Sequence, residues 1–262
     1  MKSHRWKKLL FLLPGLLGAV VFFALPLCYC LLFSFSGTFG RFQFSGRRNY
    51  LALFSSDAFR LAFRNTFLLL TLFVSAVLVL ALGVVYVLNN SPRASMGLLL
   101  CAVTMFLPSA LIVNFAKAFP DLCKHYPRLM FFLMFLWKQL GINALILHTS
   151  AGNMDSALLE AAAVDGAGKG RAFFGISFYY LLPQLKFLVV LNTICFFRMF
   201  RESYLLYGYY PPDEVYMMQN FFFNNFQRLN YQRLSAGATV TVVFLLVLNY
   251  FVFRGGEPRE FV

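Results

Sequence analysis

Six stretches of this sequence are apolar over a length that suits the interior of a membrane. They cover residues of about 9–33, 66–88, 96–119, 129–147, 183–200 and 235–253. A helix needs about 17–25 residues to cross roughly 30 Å of hydrocarbon, and each stretch approaches or exceeds that. Alternating segments of about 10 residues, which a membrane β-barrel requires, are missing. The pattern predicts an all-α integral membrane protein, with six transmembrane helices in a single domain over residues 1–262. Composition agrees. Only 13% of the residues are charged and 60% are hydrophobic, against about 25% charged in a soluble domain. Even a domain of ~300 residues buries only about three-quarters of its chain surface, so a water-soluble fold could not hide this much apolar area. Disorder needs low hydrophobicity and is excluded by the same figures.

The first stretch follows Lys2, Arg5, Lys7 and Lys8, as a secretory signal would. Its apolar run is too long for a signal core of about 7–15 residues, so a retained span is expected, kinked or shortened by Pro14 and Pro26. Lys and Arg total 23 against 10 Asp and Glu, a net charge of +13. The basic residues gather at the ends of apolar stretches, as at Arg47 and Arg48 or Arg198 and Arg201. That placement suits anionic lipid headgroups, and no nucleic-acid motif accompanies it. Loop charges divide almost evenly between the two sides. The basic cluster before the first span then decides for a cytoplasmic N-terminus, and six spans return the C-terminus to the same side. Glu202 reads as a helix-end partner of Arg198 and Arg201. The five cysteines are an odd number, and all but Cys123 lie in apolar runs, so they read as small buried hydrophobes without a disulfide frame. The three histidines are not at metal-ligand spacing.

The least membrane-like interior segment lies between the fourth and fifth stretches, at residues of about 153–176. Asp155 or Asn153 can cap a helix there, Ala157–Val164 is rich in helix formers, and Gly166 can end it. A helix of about two turns, displaying Glu160 and small alanines outside the bilayer, is the physical expectation. The run Gly166-Ala-Gly-Lys-Gly-Arg171 is not a phosphate loop. That motif needs Ser or Thr after the lysine and a preceding strand, and here Gly170 follows Lys169.

In this segment, Glu160-Ala161-Ala162, Asp165-Gly166-Ala167, Phe173, Ile176 and Pro183 resemble the EAA loop of ABC importer permeases of the carbohydrate type. Asn49-Tyr50, Asn65-Thr66, Leu107-Pro108 and the Trp137, Gly141, Asn143 run resemble further landmarks of that family, and Pro211 falls where its glycine-rich outer loop ends. The departures are Tyr179 where the family has a first proline, Asp155 where a proline leads into the loop, and an outer loop reading Tyr207-Gly-Tyr-Tyr-Pro211.

The resemblance implies one half of a two-permease pore in a prokaryotic plasma membrane. Each half would be paired with a separate ATPase subunit, and an extracytoplasmic solute-binding protein would serve the pore. The second permease would be either a copy of this chain or a different one. Glu160, Ala161, Ala162, Asp165, Gly166 and Ala167 would couple to the ATPase. ATP would bind only on that partner, leaving this chain without a cofactor. The solute path must come from polar groups within spans, because such groups are costly in lipid and face protein or water. Asn114, Gln139, Asn143, Asn192, Thr193 and Asn249 qualify, as does Lys138, with interhelical hydrogen bonding as the alternative role. The solute implied is a sugar or oligosaccharide. A polyol, glycerol phosphate or peptide-like solute on the same machinery is the alternative, followed by a membrane scaffold that transports nothing.

Overall fold

The computed structural model describes residues 13–37, 44–88 and 92–254. Lys2, Arg5, Lys7 and Lys8, on which the orientation rests, lie outside the described residues, as do the start of the first span and Ser91. We number the helices α1 (Leu13–Ser34), α2 (Arg48–Phe54), α3 (Asp57–Leu88), α4 (Pro92–Ala102, prolonged by a 3-10 turn Val103–Phe106), α5 (Ser109–Lys117), α6 (Pro120–His125), α7 (Pro127–Gly152), α8 (Ser156–Val164), α9 (Lys169–Tyr207), α10 (Met218–Gln227) and α11 (Tyr231–Arg254).

Among the described residues α1, α3, α7, α9 and α11 are each long and apolar enough to cross a membrane. The sixth apolar stretch, third in the chain, is not one rod. Its two halves, Met96–Phe106 and Ser109–Lys117, meet at 91°. Pro108 provides the break. It forces Leu107 into extended backbone (φ −61°, ψ 135°), which no helix can continue through. The other prolines are absorbed. Pro26 follows a π-turn at Val20–Ala24 within α1, and Pro183 lies inside α9, which starts well before it at Lys169 and has its own π-turn at Phe173–Ser177.

The chain divides into two compact units, with the divisions falling inside α3, α10 and α11. The first comprises the described residues up to Arg60 together with Phe221–Val247. The end of α1 is secured there by the Asn49-Tyr50 pair. Asn49 Nδ2 donates to the carbonyls of Ser34 and Ser36 at 2.9 and 2.8 Å, and the Tyr50 and Ser34 hydroxyls bond at 2.7 Å. Carbonyls at a helix C-terminus have no partner within the helix, and the asparagine supplies one. Phe59 packs edge-on to Phe221 at 5.6 Å, and Gly237 lies against Phe221, Phe222 and Leu53.

The second unit comprises Leu61–Asn220 and the described residues from Leu248. Its core is a triangle of Phe73, Phe135 and Phe196, with ring centroids 5.9–6.1 Å apart. Asn65 donates to the carbonyls of Asp213 and Tyr216 at 2.5 and 3.1 Å, and Thr66 accepts from the Met218 N–H at 2.8 Å. The loop before α10 is thereby tied to α3. Gly141 lets α7 press directly on α4, since a Cβ there would run into the carbonyl carbon and oxygen of Cys101. Thr104 adds a bond to the Trp137 carbonyl at 2.7 Å.

The cysteines differ from the sequence expectation. Cys123 and Cys195 are buried, Cys28 and Cys101 are exposed, and Cys30 is half-buried. An apolar run tells that a helix is lipophilic, not which of its faces turns toward the chain. Cys123, the one outside such a run, donates to the Ala116 carbonyl at 3.3 Å, and burial pushes its thiol above the usual pKa.

The Gly141 contact yields a stability prediction. Gly141→Ala forces backbone against backbone and should cost about 1–3 kcal/mol, the range for overpacking. Gly83→Ala, in α3 with nothing within 4 Å, should gain up to about 1 kcal/mol of helix propensity. Thermal unfolding of both variants in detergent checks the opposite signs.

Candidate functional site

The segment after α7 folds by local rules. Asp155 adopts extended backbone, and its carboxylate accepts the Ala157 N–H at 3.0 Å, so it, rather than Asn153, caps α8. At the other end Gly166 takes φ +74°. Its N–H reaches the Ala163 carbonyl at 3.1 Å, and the Ala167 N–H reaches Ala162 at 2.9 Å. These are the two bonds of a Schellman motif, whose left-handed residue favours glycine. No residue of α8 is buried. Glu160, Ala161, Asp165 and Gly166 are exposed, Ala162 and Ala167 half-buried, and Val164 is 88% exposed. Behind α8 lies a cavity of about 420 Å³ lined by Tyr86, Ala151, Leu159, Ala163 and Phe173 among others. Tyr86 there meets Phe173 edge-on at 5.1 Å.

Two of the intramembrane polar residues meet each other. Asn192 Nδ2 donates to Asn143 Oδ1 at 2.7 Å, and Asn143 Nδ2 donates back to Asn192 Oδ1 at 3.2 Å. Each also bonds a carbonyl one turn earlier, Gln139 for Asn143 and Leu188 for Asn192, both at 2.7 Å. Both side chains are fully buried, so α7 and α9 are clamped by an amide pair. Thr193 is bonded to its own helix at Val189. Gln139 is buried one turn before Asn143, with an amide oxygen that has no hydrogen-bond partner among the described residues. Asn114 is exposed on α5, and Asn249 is half-buried on α11.

Glu202 is placed differently from the sequence expectation. It is buried and pairs with Lys138 on α7 at 2.7 Å, not with Arg198 or Arg201. The two arginines stay exposed on α9. The helix turn that carries Glu202 faces the core, and the lysine is the cation available there.

No family model matches the sequence, yet it is similar to known proteins along most of its length. It is 26% identical to the arabinooligosaccharides transport system permease protein AraP of Bacillus subtilis (strain 168), over 91% of this chain and 84% of that protein. It is 28% identical to the sn-glycerol-3-phosphate transport system permease protein UgpA of Salmonella typhi, over 97% and 95% of the two. Its fold matches that of a bacterial ABC transporter involved in the import of the acidic polysaccharide alginate. The TM-score is 0.77 at 18% identity, covering 96% of this chain and 95% of that one. Along most of its length the chain is similar to permeases of binding-protein-dependent ABC importers. This permease is thus a multi-pass protein of the bacterial inner membrane and a transport subunit, not an enzyme.

Three landmarks of the permease have evident structural work. Asn65-Thr66 holds the loop before α10, Gly141 admits α4, and Asn143 clamps α9. Sequence reasoning missed the Lys138–Glu202 pair because its members stand 64 positions apart. The signal was present all the same: a lysine inside one apolar stretch and a glutamate beyond the end of another each need an opposite charge.

The clamp can be tested by a double-mutant cycle. Asn192→Leu leaves the Asn143 amide buried and short of partners, a loss of about 1–3 kcal/mol. That exceeds the ~0.6 kcal/mol average for an interhelical hydrogen bond in a membrane. Thermal unfolding of the purified permease should show the single variant clearly destabilised, and adding Asn143→Leu should recover part of the loss. If Asn192→Leu melts like the parent, the pair holds nothing together.

Proposed function

We propose that this permease forms one half of a two-permease pore and that α8 is the coupling helix, seated in a cleft of a separate ATPase subunit. The observation that carries the reading is the state of α8. It is a capped, terminated helix of nine residues between two long apolar helices, and none of its residues is buried against its own chain. An isolated helix this short is marginal in water. A partner surface accounts for its exposed Leu158 and Val164. Glu160 supplies the charge for a basic residue of the cleft, Ala161 and Ala162 permit close approach, and Asp165, Gly166 and Ala167 set the exit of the chain. ATP binds on the partner, and closure of two ATPase subunits moves the two coupling helices as rigid bodies.

In this reading residues 148–178 and both termini are cytoplasmic. The solute arrives from an extracytoplasmic binding protein, a reading supported by the structure of a bacterial alginate ABC transporter in complex with an alginate pentasaccharide-bound periplasmic protein. It passes the polar groups of the spans, for which Asn114, Gln139, Asn143, Asn192, Thr193 and Asn249 are the candidates. A sugar or oligosaccharide is favoured by the likeness to AraP, and the likeness to UgpA supports glycerol phosphate as the second reading.

Glu160→Lys tests the coupling. It should leave the spans inserted but turn an attractive contact into a like-charge one. The cost is about 2–5 kcal/mol, as for disrupted interfacial charge pairs, which weakens docking by more than about tenfold. Gly166→Pro should act through the exit, since proline is held near φ −65° and lacks the N–H that bonds Ala163. Both variants should reach the membrane and lose uptake together with co-purification of the ATPase. A Glu160→Lys permease that keeps its ATPase and still imports solute would sink the proposal.

Topology is checked separately in a cysteine-free background, since Cys28 and Cys101 are exposed. Single cysteines at Gly46, Ser91 and Gly168 should react with an impermeant thiol reagent from outside, inside and inside respectively. Labelling of position 168 from outside would reverse the orientation and remove α8 from the ATPase.

A further inference from the structure

A second cavity, of about 240 Å³, opens where α4 breaks and α5 begins, and it is lined by Pro108, Ser109, Lys138, Gln139, Arg198 and Arg201 among others. Three of these six side chains are cations. Lys138 is neutralised by the buried Glu202. Arg198 and Arg201 form no ion pair or hydrogen bond with the described residues. They are three positions apart, so they share a face of α9. Two guanidiniums at the end of an apolar helix, without counter-charge, are costly unless they meet water or an anion. A second feature is independent of the charge. Gln139 is 2% exposed, lines the cavity, and has an amide oxygen that accepts no hydrogen bond from the described residues. A buried acceptor of this kind requires a donor.

We infer that this cavity is a solute subsite for a hydroxylated anion, with Arg198 and Arg201 on the carboxylate or phosphate and Gln139 accepting a hydroxyl. The guanidinium fork suits either group, because each offers two oxygens for parallel N–H donors. Ser109, at the first turn of α5, adds a hydroxyl at the same wall. The inference rests on the importer reading and narrows it. A neutral oligosaccharide would leave both guanidiniums unpaired, whereas a uronate sugar or a polyol phosphate would satisfy them and the Gln139 oxygen together.

The test is equilibrium dialysis, without ATP, of the assembled importer in phosphatidylcholine nanodiscs. The probes are digalacturonate, glycerol 3-phosphate and their neutral counterparts, galactobiose and glycerol. At least one anion should bind tenfold or more tightly than its neutral counterpart, and the stronger anion shows whether carboxylate or phosphate is preferred. Arg198→Gln and Arg201→Gln should each cut that preference about tenfold. Arg198→Lys, which keeps the charge but loses the fork, should fall between Gln and the parent. Neither arginine supports a neighbour, so folding should survive, and an unchanged gel-filtration profile confirms it. Equal binding of anion and neutral probe, or Gln variants that retain the preference, overturns the inference. So does loss of anion binding on adding phosphatidylglycerol, which would make the occupant a lipid headgroup. Because binding is read without ATP, these outcomes are independent of Glu160→Lys. A permease can lose its anion preference and still couple, or lose its ATPase and still bind.

Discussion

Hydrocarbon offers no hydrogen bonds, and every polar group on these helices must therefore find a partner within the protein or beside water. Much of the architecture of the second unit answers to that requirement. Several of its ties between helices and loops are polar: Asn65 and Thr66 to the loop before α10, Thr104 to α7, Asn143 to Asn192, and Lys138 to Glu202. Apolar packing, as in the Phe73, Phe135, Phe196 triangle, fills space well but cannot set register alone, because lipid tails are as apolar as the side chains they would replace. Few polar residues are present, and those that pair across helices each fix a particular neighbour.

This explains what could be read in the sequence and what could not. Length and apolarity marked the long helices, since spanning is decided within one segment. Local chemistry marked α8, because Asp155 and Gly166 are signals that act over a few residues. Pro108 was visible too, but a proline announces a break and not its angle, and the 91° turn depends on what surrounds it. The pairings were hidden. Asn143 and Asn192 both stand out in the sequence as polar residues in apolar helices, yet nothing in either helix tells which face meets the other. The same blindness to faces misplaced the cysteines and gave Glu202 to its chain neighbours instead of Lys138.

The candidate site shows a division between residues that serve the chain and residues that do not. Asn143, Asn192 and Thr193 spend their hydrogen bonds internally. Glu160, Val164, Arg198 and Arg201 are left exposed, and no ion pair or hydrogen bond within the described residues accounts for them. In a membrane protein the second group carries more information about partners, because an exposed charge or apolar turn gains nothing from its own fold. Only α8 among these features is framed at both ends by helix-terminating geometry, which gives its exposed face a fixed outline.

The absence of a side chain at Gly141 has a mechanical side. With no Cβ between them, α4 and α7 lie backbone to backbone at that level, leaving no soft layer through which one could slide or roll independently. At its far end α7 is joined to α8 by only Asn153, Met154 and Asp155. A force applied at α8 thus enters a stiff rod of 26 residues, about 39 Å long at 1.5 Å per residue, whose middle is engaged with α4 like the teeth of two gears. The kink at Leu107–Pro108 is the first compliant joint beyond that engagement. In the coupling reading proposed above, motion delivered at α8 would reach that joint as a swing of α5, beside the wall where Ser109, Arg198 and Arg201 stand.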